Sequence, residues 1–418
     1  MYGEIITIGD ELISGNTLDL NSSYAAGRLT ASGLQVRRIT SVGDDHQMVS
    51  NALSKALETS RFIIVTGGLG PTDDDVTNEI VAAALNRSLR LDPQMFKRIK
   101  KYVEAKGLEM TPALEKMAWM PEGSQIIDPE RFMCGCSIKE QDVHLYFLPG
   151  VPDQMRHLFD KFVLPEILNL YGTLPAVGQN ILKLYGIKEP DIAEALKELQ
   201  GSSGDVVLGF YPHFPENHIT LSLHGKDEPT VTKELERVET EIRRLLGSFI
   251  FSSGNKSMEE VVGRELLDRG LTISVAESCT GGLIGHRLTN VPGSSVYFQG
   301  GVVVYSNESK ANLLNVDPET IKTHGAVSTK TVRKMVQGVK NRFGTDMALA
   351  VTGIAGPDGG SPGRPVGTVH IGLAVGDEVL SGKYLFWGDR EKVKLEASTM
   401  ALDWVRRYLN EDSFLPGI

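Results

Sequence analysis

Three cysteines in 418 residues (Cys134, Cys136 and Cys279) are too few for a disulfide framework. Cys134-Gly-Cys136 also lacks the spacing and the second ligand pair of a structural zinc site, so a reduced, intracellular protein is expected. No uninterrupted apolar run approaches the ~20 residues that cross a bilayer. The opening MYGEIITIGDEL has no basic segment leading into an apolar core, which argues against a signal peptide and for the cytoplasm. Positive charge is in deficit too: 43 Lys and Arg against 53 Asp and Glu leave a net charge of −10. That balance argues against a broad surface for direct nucleic-acid or membrane binding.

What is present is a globular composition, 41% hydrophobic and 23% charged, in a chain too long for one ordinary core. The expected class is α/β, in three segments. Residues 1–170 alternate strand and helix signals: strands over 4–8, 36–42, 62–66 and 144–148, helices over 21–32, 47–59 and 75–85. That rhythm predicts a mainly parallel sheet. Residues 174–250 form a small α+β module, with strands over 181–187, 206–211 and 218–224, a helix from Glu189 to about Leu199, and a long helix over 228–246. A polar joint, 251–257, leads to a third α/β segment, 258–412. Its strands are expected over 271–276, 301–305, 347–352 and 368–375, and a closing helix over 390–408.

In the third segment an apolar strand ends abruptly in Glu277-Ser278-Cys279-Thr280-Gly281-Gly282 before a helix. Such a turn exposes a nucleophile beside unpaired backbone N–H groups that can hold an oxyanion or phosphate. Tyr305 and Lys310 follow the next strand, and Ser with Lys is a known acyl-transfer pair that needs no histidine. Thr352-Gly353-Ile354-Ala355-Gly356 closes a third strand, and Arg390 opens the last helix as a candidate anion fork. Strand exits of a parallel sheet share one edge, so Ser278, Tyr305 and Thr352 are expected on one rim. Each residue taken alone has a plainer use. Ser278 or Thr280 can cap a helix, and Lys310 and Arg390 can be surface cations. Convergence on one rim is what favours chemistry.

AESCTGG, GGVVVYSNESK, HGAVS (His324–Ser328), VTGIAGPDGG, PVGTV (Pro365–Val369) and GDR together resemble the CinA C-terminal domain, the nicotinamide-nucleotide amidohydrolases. The resemblance implies hydrolysis of nicotinamide mononucleotide to nicotinate mononucleotide and ammonia, in pyridine-nucleotide salvage, without a cofactor. Ser278 would be the nucleophile and Lys310, neutral through burial, its base. Tyr305 and Thr352 would position Lys310 or the substrate. Thr280, Gly281, Gly282, Gly353, Gly356 and Arg390 would contact the substrate, with N–H groups near Thr280 to Gly282 stabilising the oxyanion. Cys279 is the rival nucleophile, and the family pattern favours Ser278.

In the first segment, Thr66-Gly67-Gly68-Leu69-Gly70-Pro71-Thr72-Asp73-Asp74-Asp75 follows a strand. Glycines there can cradle a phosphate and the carboxylates can hold a divalent ion. It is neither a Walker loop nor a dinucleotide fingerprint. An acidic helix N-terminus would account for Asp74 and Asp75, though not for three glycines plus three aspartates. Gly9-Asp10-Glu11, Gly43-Asp44-Asp45 and Pro149-Gly150-Val151-Pro152 should lie on the same sheet edge. These features resemble the molybdopterin-binding fold of molybdenum-cofactor biosynthesis proteins and, more closely, the CinA N-terminal domain. That resemblance implies a metal-dependent ADP-ribose pyrophosphatase giving AMP and ribose 5-phosphate. Cobalt or magnesium is the expected ion, with potassium a further candidate, held by Asp10, Asp44, Asp73 and Asp75. Gly9, Thr66, Gly67, Gly68, Gly70, Thr72, Asp44 and Asp75 would contact substrate. Gly201-Ser202-Ser203-Gly204 matches a KH-domain GxxG loop, yet it joins a helix to a strand and precedes Asp205, which disfavours RNA binding. The middle module is thus expected to be KH-like in fold only, and family resemblance implies a homodimer. Two other readings compete: molybdopterin binding, and a non-catalytic competence or DNA-damage partner.

Overall fold

The computed structural model describes residues 2–73, 75–130, 134–172 and 175–411. Asp74, named above as a capping candidate, lies outside them. The chain divides into two compact units, one of residues 1–177 with 224–231 and the other of residues 178–223 with 232–418.

The first unit is built on strands β1 (Tyr2–Ile8), β2 (Gln35–Val42) and β3 (Phe62–Thr66). Helices α1 (Leu20–Ala31), α2 (His46–Thr59) and α3 (Thr77–Ala84) cover them. A short helix α4 (Pro112–Lys116) and strands β4 (Gln125–Ile126), β5 (Cys136–Glu140) and β6 (Val143–Leu148) complete the set used below. The sheet order is β2-β1-β3-β6-β5-β4. β2, β1, β3 and β6 run parallel, and β5 pairs antiparallel with both β6 and β4. β3 reads Phe-Ile-Ile-Val-Thr and is buried throughout, as a central parallel strand covered on both faces must be. Two apolar layers flank the sheet. One contains Ile6, Val49, Ile63 and Ile80. The other contains Ile5, Leu29, Phe62 and Phe159. Each fully buried aliphatic chain contributes about 1.5–3 kcal/mol. One expected boundary moves: α3 starts at Thr77 and not at Asp75, because Asp75 folds back on Thr72.

The middle sheet contains β7 (Ala176–Leu184), β8 (Val207–His213), β9 (Glu216–Gly225) and β10 (Ile250–Ser253) in the order β8-β9-β7-β10. The long helix α5 (Glu228–Leu246) matches its predicted span. The helix expected from Glu189 splits into Glu189–Ala195 and Lys197–Ser202.

After α6 (Met258–Arg269) the third sheet begins with β11 (Ile273–Glu277), followed by α7 (Leu283–Thr289), β12 (Phe298–Val303) and α8 (Asn307–Leu314). Helix α9 (Thr329–Phe343), strands β13 (Met347–Gly353), β14 (Thr368–Val375) and β15 (Glu378–Leu385), and helix α10 (Arg390–Leu409) follow. The order is β12-β11-β13-β14-β15. This sheet is mixed, not parallel. β12, β11 and β13 are parallel, whereas β14 runs antiparallel to both β13 and β15. The reason is local: Gly376 (φ +55) and Asp377 form a two-residue connection, which can only join antiparallel neighbours. β15 escaped the sequence reading because its residues are mostly half-buried or exposed and lack an apolar run. Among the described residues no helix is long and apolar enough to cross a membrane.

Candidate active sites

In the third sheet, β11 delivers Ser278 to the carboxyl rim. Its N–H donates to the Val351 carbonyl (3.0 Å), and the Val304 N–H donates to the Glu277 carbonyl (2.8 Å), so the ladder holds both sides of the turn. Gly281 (φ +64) and Gly282 (φ +97) then make the left-handed step into α7 that a side chain would oppose. Lys310 lies in α8, whose start is fixed by a reciprocal Ser306–Ser309 capping pair. Its Nζ donates to the Val304 carbonyl (2.8 Å) and stands 3.2 Å from Ser278 Oγ, with both residues buried. Burial pushes the Lys310 amine below its ordinary pKa. The neighbouring Cys279 thiol is pushed up to about 12, chiefly by burial.

The other rim residues form a second group. Arg390 donates to the Gly356 carbonyl (2.9 Å) and to the Tyr305 hydroxyl (2.6 Å), tying the exits of β12 and β13 to the start of α10. Tyr305 stands beyond β12 and is 59% exposed. Thr352 is buried and donates to the Ala326 carbonyl (2.9 Å) in the HGAVS segment. Neither Tyr305 nor Thr352 bonds Lys310; the Val304 carbonyl holds it. Gly353 packs against Cys279 Sγ and the Thr368 carbonyl, leaving no room for a side chain. Thr280 keeps a buried hydroxyl without a hydrogen-bond partner among the described residues.

The expected oxyanion donors change. Buried Glu277 accepts from the N–H groups of Gly282 (3.0 Å), Ile284 (3.1 Å) and Gly285 (2.8 Å), so the Gly282 donor is occupied. The Cys279 and Thr280 N–H groups meet no acceptor among the hydrogen bonds of the described residues. Glu277 escaped the sequence reading, although a carboxylate before a Ser-Cys-Thr-Gly-Gly turn signals a helix start in need of an acceptor.

In the first unit the parallel strand exits gather as expected. A cavity of about 490 Å³ is lined by Gly9, Glu11, Asp44, Gly67, Gly68, Gly70 and Asp75, and by Pro149 and Gly150, the latter packed against Gly67. Gly67 (φ +114) passes so close to the Ile8 carbonyl that a side chain would strike it. The N–H groups of Gly68, Leu69 and Gly70 have no acceptor among the described residues, which suits a phosphate. Asp10 and Asp44 brace one another: each backbone N–H donates to the other's carboxylate, at 2.9 and 3.1 Å. Asp75 accepts from the Thr72 N–H (2.9 Å) and hydroxyl (2.5 Å). Asp10, Asp73, Thr66 and Thr72 do not line the cavity. Thr66 is tied to its wall, donating to the Pro149 carbonyl (3.0 Å). Asn21, which sequence reasoning passed over, donates to both Thr66 (3.2 Å) and the Gly150 carbonyl (2.8 Å).

Among the described residues no three His, Cys, Asp or Glu side chains converge as a metal cage. Carboxylates of Glu11, Asp44 and Asp75 nevertheless share one cavity with open N–H groups. Such a donor set fits a hydrated divalent ion bound through one or two carboxylates and a ligand's phosphates.

Residues 255–409 match the CinA C-terminal domain, residues 4–169 the "Probable molybdopterin binding domain" and residues 179–252 the "Damage-inducible protein CinA KH domain". The three-part α/β architecture thus combines a molybdopterin-binding-like sheet, a KH-like middle module and a CinA C-terminal sheet. A CinA-like protein of Dictyoglomus thermophilum is 40% identical over 410 residues, covering 98% of this chain and 99% of that one. One from a Geobacter species is 39% identical over 419 residues, 100% of each chain. A crystal structure of a competence/damage inducible protein from Agrobacterium tumefaciens shares 38% identity over 37% of this chain and 97% of its own, with a TM-score of 0.35. Identity of this order along the full length, with a domain match in each segment, makes this chain a member of the CinA family.

Proposed function

We propose that the chain is a bifunctional nucleotide hydrolase. Its C-terminal site would convert nicotinamide mononucleotide and water to nicotinate mononucleotide and ammonia. The observation that carries this reading is the buried Lys310 amine 3.2 Å from Ser278 Oγ. A neutral Lys310 takes the Ser278 proton as Oγ bonds to the carboxamide carbon. The carbonyl oxygen becomes an oxyanion within reach of the Cys279 and Thr280 N–H groups, each such donor contributing about 3–4 kcal/mol. The Lys310 ammonium returns the proton to the departing nitrogen, releasing ammonia and leaving an ester on Ser278. Lys310, neutral again, deprotonates a water that attacks this ester; nicotinate mononucleotide leaves and Ser278 regains its proton. The Val304 carbonyl keeps Nζ aimed at Oγ through both halves.

The N-terminal site would hydrolyse ADP-ribose to AMP and ribose 5-phosphate. Asp44 and Asp75 would hold a divalent ion, cobalt or magnesium, which when bound offsets diphosphate charge and acidifies water. The chain's own part would be to cradle phosphate oxygens on the Gly68, Leu69 and Gly70 N–H groups within the cavity that Pro149 and Gly150 help to line. A molybdopterin-binding role is the competing reading, favoured by the domain match over residues 4–169.

Assaying the full-length protein on both nucleotides tests the pair. Ser278→Ala is expected to lower ammonia release by roughly four to six orders of magnitude while ADP-ribose hydrolysis continues. Full ammonia release from Ser278→Ala ends the Ser–Lys assignment. Absence of ADP-ribose hydrolysis with magnesium and with cobalt ends the pyrophosphatase assignment and leaves molybdopterin binding.

A further inference from the structure

The N-terminal cavity is electrostatically one-sided. Its lining carries the carboxylates of Glu11, Asp44 and Asp75 and, among the described residues, no cationic side chain. A diphosphate ester entering it meets three side chains of like charge, and one divalent ion offsets only part of that repulsion. A cationic side chain is available next door. Lys116, the last residue of α4, lines a small second cavity that shares Gly68, Leu69, Gly70 and Asp75 with the first. Lys116 is half-buried, and its Nζ donates to the Thr72 carbonyl at 3.0 Å, a neutral acceptor. Thr72 is the same residue whose N–H and hydroxyl bind Asp75. One exposed threonine therefore orients both a carboxylate and an ammonium at the edge of the glycine loop.

We propose that Lys116 is the anion-recognition residue of this cavity. Its ammonium exchanges the Thr72 carbonyl for a non-bridging oxygen of a diphosphate ester, replacing a neutral hydrogen bond by a charge-assisted one. The inference rests on the diphosphate-hydrolase reading and deepens it, since it assigns the substrate's charge to a named side chain.

The test uses the full-length protein and its Lys116→Gln and Lys116→Arg variants, each checked for an unchanged melting midpoint. Inorganic pyrophosphate with magnesium is the probe, titrated calorimetrically. Lys116→Gln is expected to weaken binding about tenfold or more, and Lys116→Arg to restore most of the affinity. Equal affinity of Lys116→Gln and the unaltered protein overturns the proposal, as does no pyrophosphate binding at all or no rescue by arginine. With ADP-ribose as substrate, Lys116→Gln should raise KM more than it lowers kcat; the reverse split also overturns it. Lys116-dependent pyrophosphate binding without ADP-ribose turnover would remove the hydrolase reading and leave this residue's role standing.

Discussion

At the scale of single residues, one buried amine sets the character of the C-terminal site. Burial lowers the Lys310 pKa from its ordinary value of 10.5, so the folded protein releases this proton at lower pH than the unfolded chain. The proposed amide hydrolysis would require the neutral amine. The amide-hydrolysis rate is therefore expected to rise with pH through the folded pKa and to level off above it, a limb that a pH–kcat/KM profile would display. The same shift has a stability consequence of fixed sign. Between the folded pKa and 10.5 the unfolded chain binds more protons, so stability climbs with pH in that window. Lys310→Met should abolish turnover and flatten the climb; urea denaturation at several alkaline pH values would measure it. Burial pushes the Cys279 thiol up to about 12, and its sulfur packs against Gly353, whereas the oxygen 3.2 Å from the Lys310 amine belongs to Ser278. The Ser278–Lys310 pair was legible in the sequence since strand–turn–helix punctuation marks Ser278, and the helix that follows the next strand brings Lys310 beside it. The supporting contacts were not. A backbone carbonyl such as that of Val304, which aims the amine, leaves no mark on residue identity.

At the scale of elements, the turn between β11 and α7 depends on Glu277. Its carboxylate satisfies three N–H groups at the start of a seven-residue helix too short to stand by propensity alone. Glu277→Gln replaces charge-assisted bonds with fewer neutral ones, and a loss of about 1.5–3 kcal/mol is expected. A lowered denaturant midpoint at unchanged slope would register that loss, and a midpoint equal to that of the unaltered protein would contradict it. Strands with continuous apolar runs, such as Phe62–Thr66 and Met347–Gly353, could be read directly because burial on both faces leaves a one-dimensional signature. The edge strand Glu378–Leu385 could not, since one of its eight residues is buried and the pairing partner, not the pattern, holds it in place.

At the scale of the molecule, helix α10 joins the candidate site's rim to the middle module of its own unit. Arg390 at its start holds Tyr305 and Gly356. Near its end Asp403 binds Arg406 and Arg407, all three buried, and both arginines reach Ser248 after α5. Composition predicts that such charges sit in water, so the cluster was invisible before folding. Asp403→Ala would leave two guanidinium groups without their shared carboxylate, and a cost of about 3–5 kcal/mol is expected. Melting of the variant beside a double substitution of Asp403 and Arg407 would separate the pair's coupling from the single loss.

This rod-like element has a genetic corollary. A nonsense codon falling some thirty residues before position 418 would spare Ser278 and Lys310, yet the shortened polypeptide would have no clasp across its rim and no anchor for the Trp404 side of its core. Late stop mutations are accordingly expected to silence the proposed amide hydrolysis as fully as early ones do.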